Sequence, residues 1–246
     1  MCTASMEINN VTLVLTSCGR MDLLEKTLDS FFKFNTYPIE RFLITEDSED
    51  PAIFAQCNEL NKKYGNVLEF IFNEKRLGQS KSIDKAYDTV TTKYVFHCEE
   101  DWEFYKSGFI EDSIRVLSGS PKILQAWIRP KNDRILNKIS EKIFEINGMK
   151  IRAVLPASFS TGDVNEDGTP MFVKNYMGFS WNPGLKRISD YRLLVNGYTG
   201  MVREHLIDHW YRDNGYLVVS LSKKDDDGYV KHIGWDRRAG DPGFVG

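Results

Sequence analysis

Cysteine and histidine are scarce in this 246-residue chain, four of each. Cys2, Cys18, Cys57 and Cys98 lie far apart with no CxxC pair, which argues against a zinc knuckle and against a disulfide framework. A reducing compartment, the cytoplasm, is the expected setting. Long apolar runs are also missing. The longest aliphatic stretches, at 11–15 and around 217–220, fall well short of the roughly 18–20 apolar residues of a membrane helix. The first seven residues hold neither a basic patch nor an apolar core, so no signal peptide is expected. There is little excess charge: 32 Lys+Arg against 35 Asp+Glu give a net charge of −3, with no strong pull on DNA or on an anionic membrane. No GxGxxG follows the first apolar run, no GxxxxGK[ST] occurs, and Gly178-Phe179-Ser180-Trp181-Asn182 breaks the GxSxG pattern. Rossmann dinucleotide binding, P-loop chemistry and the α/β-hydrolase nucleophile thereby lose their main support. The sequon Asn10-Val11-Thr12 leads straight into an expected buried strand and is read as chance.

What is present is the composition of a folded protein: 41% hydrophobic, 27% charged and 13% aromatic residues. The length fits one domain over 1–246, with a first half at 1–125 and a second at 126–246. Residues 11–16 form a near-continuous apolar run, as in a strand buried on both faces. Residues 21–34 then place Met21, Leu24, Leu28 and Phe31 at helical spacing. Strands at 41–45, 67–72 and 94–98 alternate with helices at 51–64 and 79–89. This βαβαβαβ series predicts an α/β fold with a mostly parallel central sheet flanked by helices. The second half predicts a smaller antiparallel part. It has a helix at 109–117, a strand at 123–128, a hairpin over 144–151 turning at Asn147-Gly148, long loops over 156–190, a helix at 201–213 and a strand at 216–221.

Ligands of open α/β sheets bind beyond the carboxyl ends of the strands. The strongest signal there is Tyr94-Val95-Phe96-His97-Cys98-Glu99-Glu100-Asp101-Trp102, an apolar strand running into three acids. Like charges side by side call for a cation, and oxygen ligands suit Mg²⁺ or Mn²⁺ bridging a carboxylate and a phosphate. An acidic turn capping the next helix is the plainer alternative, and the location at a strand's carboxyl end favours the metal.

Four such segments together resemble the GT-A fold glycosyltransferases, family-2-like. Val14-Leu15-Thr16-Ser17-Cys18-Gly19-Arg20 is similar to their nucleotide-binding start, and Ile44-Thr45-Glu46-Asp47 to their acidic second-strand motif. Gly78-Gln79-Ser80-Lys81 is similar to their donor-facing helix start, and Glu99-Glu100-Asp101 stands at the DxD position as a Glu-Glu-Asp variant. The resemblance covers nearly the whole chain. It implies Asp101 as the direct metal ligand, Glu99 on the donor, and Glu100 near the ribose or a metal-bound water. Thr16, Arg20, Glu46 and Asp47 would frame the nucleoside, with Gln79 and Lys81 toward the diphosphate or sugar. His232, in Tyr229-Val230-Lys231-His232, resembles the C-terminal histidine that completes such metal sites. Counting back from Gly215-Tyr216 puts Glu204 at the place of the catalytic base; a first-turn Glu favoured by the helix dipole is the other reading of that residue. Asp163 and Asp208 are its nearest competitors. Trp181 fits either stacking on an acceptor sugar or anchoring its loop. His205 and His209 are four apart, but Leu206 breaks HExxH, so zinc is not expected.

The implied activity is a metal-dependent, inverting transfer from a nucleoside diphosphate sugar, UDP-sugar before others, to a hydroxyl of unspecified identity. A DNA acceptor ranks low, since Lys223-Lys224-Asp225-Asp226-Asp227 and Arg237-Arg238 make only a weak basic footprint. The rivals are a nucleotidyltransferase, which shares the nucleotide-binding sheet, and a non-catalytic sugar- or nucleotide-binding module.

Overall fold

A computed structural model of the chain describes residues 10–130, 137–164, 168–201, 203–222 and 228–235. The first strand, β1 (Val11–Ser17), is buried at every position, as its uninterrupted Val-Thr-Leu-Val-Leu run requires. It pairs in parallel with β2 (Arg41–Glu46) on one side and β4 (Tyr94–Glu99) on the other. β3 (Leu68–Phe72) extends the sheet beyond β2. Helices α1 (Met21–Phe34), α2 (Pro51–Lys63) and α3 (Gln79–Tyr87) make the crossovers. The strand order β3-β2-β1-β4 means that the chain steps from β1 to β2 and β3 on one side and then crosses back to lay β4 on the other side of β1. A crevice therefore opens between the carboxyl ends of β1 and β4, the switch point where such sheets take ligands.

Helix starts follow local chemistry. Asp50 caps α2 by accepting a hydrogen bond from the Ala52 amide at 2.8 Å, with Pro51 opening the helix. α1 buries Leu23, Leu24, Leu28 and Phe31. The Phe31 ring stands 5.3 Å from Phe104 and 5.8 Å from Phe109, which joins α1 to the short strand β5 (Trp102–Phe104) and to α4 (Phe109–Gly119).

A second sheet runs β6 (Ile123–Trp127), β12 (Leu217–Ser220), β8 (Met149–Val154) and β7 (Ile139–Ile146) in space. Asn147 and Gly148 make the expected β7–β8 turn with φ of 48° and 75°, a left-handed pair that Asn-Gly tolerates best. The expectation of long loops over 156–190 is corrected. The segment holds a hairpin, β9 (Ala157–Val164) with β10 (Pro170–Tyr176), then β11 (Gly184–Arg187) and the single-turn helix α5 (Ile188–Tyr191). The hairpin is mostly solvated, so its sequence carries no apolar alternation to mark it. β11 is marked only by its partner, adding antiparallel to β4 at the sheet edge. The last helix, α6 (Glu204–Asp213), begins at Glu204 rather than at Met201. β13 (Val230–His232) pairs antiparallel with β5, setting His232 opposite Trp102. No helix among the described residues is long and apolar enough to cross a membrane.

Candidate active site

A cleft of about 220 Å³ lies over the carboxyl ends of β1, β2 and β4, lined by Thr16, Arg20, Asp47, Gln79, Glu99 and Glu100 among others. Six of the eight residues expected at a nucleotide sugar thus share one cavity wall. The other two stand elsewhere. Glu46 is fully buried; its Oε1 accepts the amides of Gly19 and Ser48, both at 2.9 Å, so it holds the β1–α1 loop from below and does not face the cleft. Lys81 lines a neighbouring cavity with Gln79.

Asp47 is more an organiser than its sequence position implies. Its Oδ1 accepts from Asn73 Nδ2 at 2.9 Å and from the Leu77 amide at 2.8 Å, and its Oδ2 from the Gly78 amide at 2.8 Å. These bonds fasten the β3–α3 turn, where Gly78 takes a φ of 80°, a conformation open to glycine at little cost. The turn delivers Gln79, whose Nε2 donates to Glu99 Oε1 at 2.7 Å.

The acidic run meets its cation inside the protein. Arg20 Nε donates to Glu100 Oε1 at 2.9 Å, and Arg20 Nη2 pairs with Asp101 Oδ2 at 2.8 Å. The Cys18 amide adds a bond to Glu100 Oε1 at 3.1 Å. Burial alone raises a carboxyl's pKa and lowers a guanidinium's. For Asp101 burial is outweighed by the His232 hydrogen bond and the Arg20 charge, which hold it below the usual range. Burial wins at Glu100, which is raised despite Arg20. Half-buried Glu99 is pushed up to about 8 by desolvation and by the charges of Asp101, Glu100 and Glu204.

Asp101 and His232 are brought together, Nε2 to Oδ2 at 3.3 Å. Two cis ligands of an octahedral cation at about 2.1 Å stand about 3 Å apart, so this spacing suits a shared Mg²⁺ or Mn²⁺. Asp101 Oδ1 and His232 Nδ1 are buried without hydrogen-bond partners. Among the described residues no group of three or more His, Cys, Asp or Glu side chains could hold a metal. The donor set therefore fits a cation completed by phosphate oxygens and water, not one caged by protein alone.

Glu204, the first residue of α6, borders two cavities. One runs from Gly78 and Gln79 past Lys81 and Trp181; the other is walled by Trp127, Phe159, Tyr176 and Phe179 with Arg129 and His205. Burial lifts the Glu204 carboxyl to about 7, against hydrogen bonds from the Trp181 backbone and Tyr176 and the charges of Arg129 and Lys186. Its two competitors part ways. Asp208 is fully buried, accepting the Met177 amide at 2.9 Å and the Phe179 amide at 2.8 Å, so it fixes the loop before β11. The Asp163 side chain lies outside the described residues, as do 223–227 and 237–238 of the weak basic footprint. Trp181 is 8% exposed, with its ring centroid 6.3 Å from Phe179 and 6.2 Å from Tyr198; it anchors its loop while lining the cavity beside Glu204. His209 Nε2 bonds the Lys174 carbonyl at 3.0 Å and faces no metal partner set.

Sequence reasoning gave no role to three neighbours of the site. Lys186 on β11 is 3% exposed, its Nζ has no hydrogen-bond partner, and burial lowers it to about 8. Arg129 lies over the Trp127 ring at 4.1 Å. Asp84 on α3 accepts the Tyr198 and Thr199 amides at 2.9 and 2.7 Å and so ties the segment before α6 to α3. Each reads locally as a surface charge; only Arg129, beside a Trp-Ile pair at a strand's carboxyl end, carries a positional signal.

No protein-family model matches the chain, and no curated protein matches it. Solved structures do. GalNAc-T7, determined with UDP, GalNAc and Mn²⁺, superposes with a TM-score of 0.63 at 12% identity over 97% of this chain and 45% of its own. S. aureus TarS gives 0.57 at 13% identity over 92% of this chain and 60% of its own. A 4-diphosphocytidyl-2C-methyl-D-erythritol synthase from Anaerococcus prevotii gives 0.51 at 13% identity, covering 89% of this chain and 90% of that one. The chain thus spans about half of the first structure and three-fifths of the second. The mixed sheet, with its parallel strands flanked by helices, matches the GT-A-like fold of these structures.

Proposed function

We propose that the protein transfers a sugar from a nucleoside diphosphate sugar to an acceptor hydroxyl. The observation that carries this reading is the continuity of the site: the strand-end cleft and the next cavity share Gly78 and Gln79, and that second cavity ends at Glu204. The nucleoside diphosphate would occupy the first, formed by the 1–125 half. The sugar would lie along Gln79 and Lys81, and the acceptor would enter from the aromatic-walled side in the 126–246 half. UDP is the first nucleotide to try, and DNA the last acceptor.

Glu204 serves as general base. As the acceptor oxygen bonds to C1 and the C1–O bond to the diphosphate breaks, the acceptor's proton passes to the Glu204 carboxylate and the bond's electron pair leaves with the diphosphate. This single displacement inverts the anomeric centre. Asp101 and His232 would hold Mn²⁺ or Mg²⁺, whose chemistry there is charge neutralisation on the leaving diphosphate. Arg20 supplies a permanent positive charge at the same end of the cleft. The nucleotidyltransferase reading draws support from the third similar structure. Against it, the Cys18 and Gly19 amides already bond Glu100 and Glu46, which leaves the β1–α1 loop without an amide cradle for a triphosphate.

The test is release of nucleoside diphosphate from UDP-, GDP- and dTDP-sugars with Mn²⁺, in wild type and Glu204→Gln. Donor binding should persist in the variant while turnover falls by roughly 10²–10⁴-fold, the usual scale of general base catalysis. A wild type that neither binds nor turns over any of these donors sinks the reading; binding without turnover makes the protein a nucleotide-sugar-binding module.

A further inference from the structure

Of the three acids at the end of β4, Asp101 is buried and contacted from three sides. Its Oδ2 is held by Arg20 Nη2 at 2.8 Å and His232 Nε2 at 3.3 Å. A side-chain carbon at Gly234 would meet that same oxygen at 2.5 Å, so the chain after β13 closes a third side. Its Oδ1 is buried and has no hydrogen-bond partner. Of these neighbours, His232 is itself a candidate ligand and Gly234 is backbone paired into the structure through the adjacent Ile233 amide on the Asp101 carbonyl at 2.8 Å. Among the described neighbours of Asp101, Arg20 is the side chain that can uncover it without displacing a candidate ligand or the backbone. Because the guanidinium is planar, a fork that turns from Asp101 also gives up the Nε bond to Glu100 at 2.9 Å, and a diphosphate offers acceptors in place of both.

We propose that Arg20 masks the cation position at Asp101 in the free protein, and that a nucleoside diphosphate unmasks it by drawing the Arg20 fork away, so that cation and nucleotide bind as a pair. This rests on the nucleoside diphosphate reading of the cleft. The physical reason is competition between charges. A divalent cation on Asp101 Oδ2 would stand within a few ångströms of a guanidinium bonded to the same oxygen, in a site screened from water. Arg20 also lines the nucleotide cleft beside Thr16 and Asp47, where diphosphate oxygens are strong, bidentate acceptors for its fork. Once the fork turns to phosphate, Asp101 recovers an unpaired charge, His232 stands at cis-ligand spacing, and the phosphate oxygens complete the coordination that two protein ligands leave open. The coupling is reciprocal: the factor by which nucleotide tightens the cation equals the factor by which the cation tightens nucleotide.

Mn²⁺ binding to the whole chain is read by the loss of the free-ion electron paramagnetic resonance signal, without nucleotide and with saturating UDP or GDP. Wild type should bind Mn²⁺ weakly alone and about 5- to 150-fold more tightly with the nucleotide, the usual span of such couplings. In Arg20→Met the carboxylates of Glu100 and Asp101 are left without their guanidinium, so nucleotide-free Mn²⁺ affinity should rise at least about tenfold and the coupling should shrink. Should Arg20→Met fail to fold, Arg20→Met/Glu100→Gln removes one of the two buried charges left behind and is read the same way. Equal Mn²⁺ affinity of wild type and variant without nucleotide, or wild-type affinity that UDP and GDP leave unchanged although they bind, overturns the masking. If neither nucleotide binds with or without Mn²⁺, the nucleotide reading falls, while a gain in nucleotide-free Mn²⁺ affinity in Arg20→Met still upholds the mask.

Discussion

Glu204 and Lys186 show how burial sets the working range of single residues. A base must be ionised to accept a proton, and burial places Glu204 at about 7. Transfer should therefore rise with pH through 7 and level off above it, falling about tenfold for each unit below. Lys186 is packed with its Nζ 6.0 Å from the centre of the Phe179 ring, and its charge favours the ionised form of Glu204. Lys186→Met removes that charge. The acidic limb of kcat/KM against pH should then move to higher pH, and a limb that stays in place would mean that Lys186 does not act on the base. At the opposite extreme, Glu46 looks like a ligand in sequence and behaves as a joint, spending its Oε1 on two backbone amides.

At the scale of elements, the site depends on how turns are fastened. The β3–α3 turn presents Gly78 and Gln79 to both the nucleotide cleft and the cavity beside Glu204, and Asp47 holds that turn by three hydrogen bonds. Asp47→Ala leaves the Leu77 and Gly78 amides without their acceptor, a local cost of about 1–3 kcal/mol for each that stays buried. Binding of the free nucleoside diphosphate and of the sugar nucleotide should weaken together in calorimetric titration. Weakening of the sugar nucleotide alone would place Asp47 at the sugar and not under the turn. The β5–β13 pair plays the matching role on the other side: its register sets His232 against Trp102, one residue beyond Asp101. Neither strand exceeds three residues, and each is specified by the other.

Across the whole molecule, the charges gathered at the strand ends weigh on stability. The sign follows from proton binding. Glu204 has a raised pKa in the folded protein, about 7 against 4.5, so between those values the native state holds a proton that the unfolded chain has released. Its contribution to stability therefore falls as pH rises from about 4.5 through 7. Glu204→Gln keeps the acceptor for the Trp181 backbone and Tyr176 but carries no charge. The variant should melt above wild type at pH 8, and the difference should shrink to a small part of that near pH 5 and vanish below about pH 4, measured by calorimetry at each. An unchanged difference across that range would mean that the Glu204 carboxylate is solvated in the native state. Gains of this kind at the cost of turnover are common where a working group is held in a destabilised form.

The sequence by itself determined the parallel sheet. The apolar run of β1, the helical spacing of Leu24, Leu28 and Phe31, and the repetition of strand and helix leave little choice of architecture, because each rests on periods that act within a few residues. The element order also put the strand ends 16–20, 45–50, 72–82 and 98–102 on one edge, and the family resemblance singled out Thr16, Arg20, Asp47, Gln79, Glu99 and Glu100 among them. Tertiary structure decided what each of them does. Arg20 and Glu100 are 80 positions apart, and no local pattern says that the cation for the acidic run is already in the chain. The inward turn of Glu46, the burial of Lys186 and the hairpin within 156–190 were hidden for the same reason. A charged or polar residue reads as surface until a distant segment covers it, and the free energy of that cover depends on partners that the one-dimensional spacing does not contain.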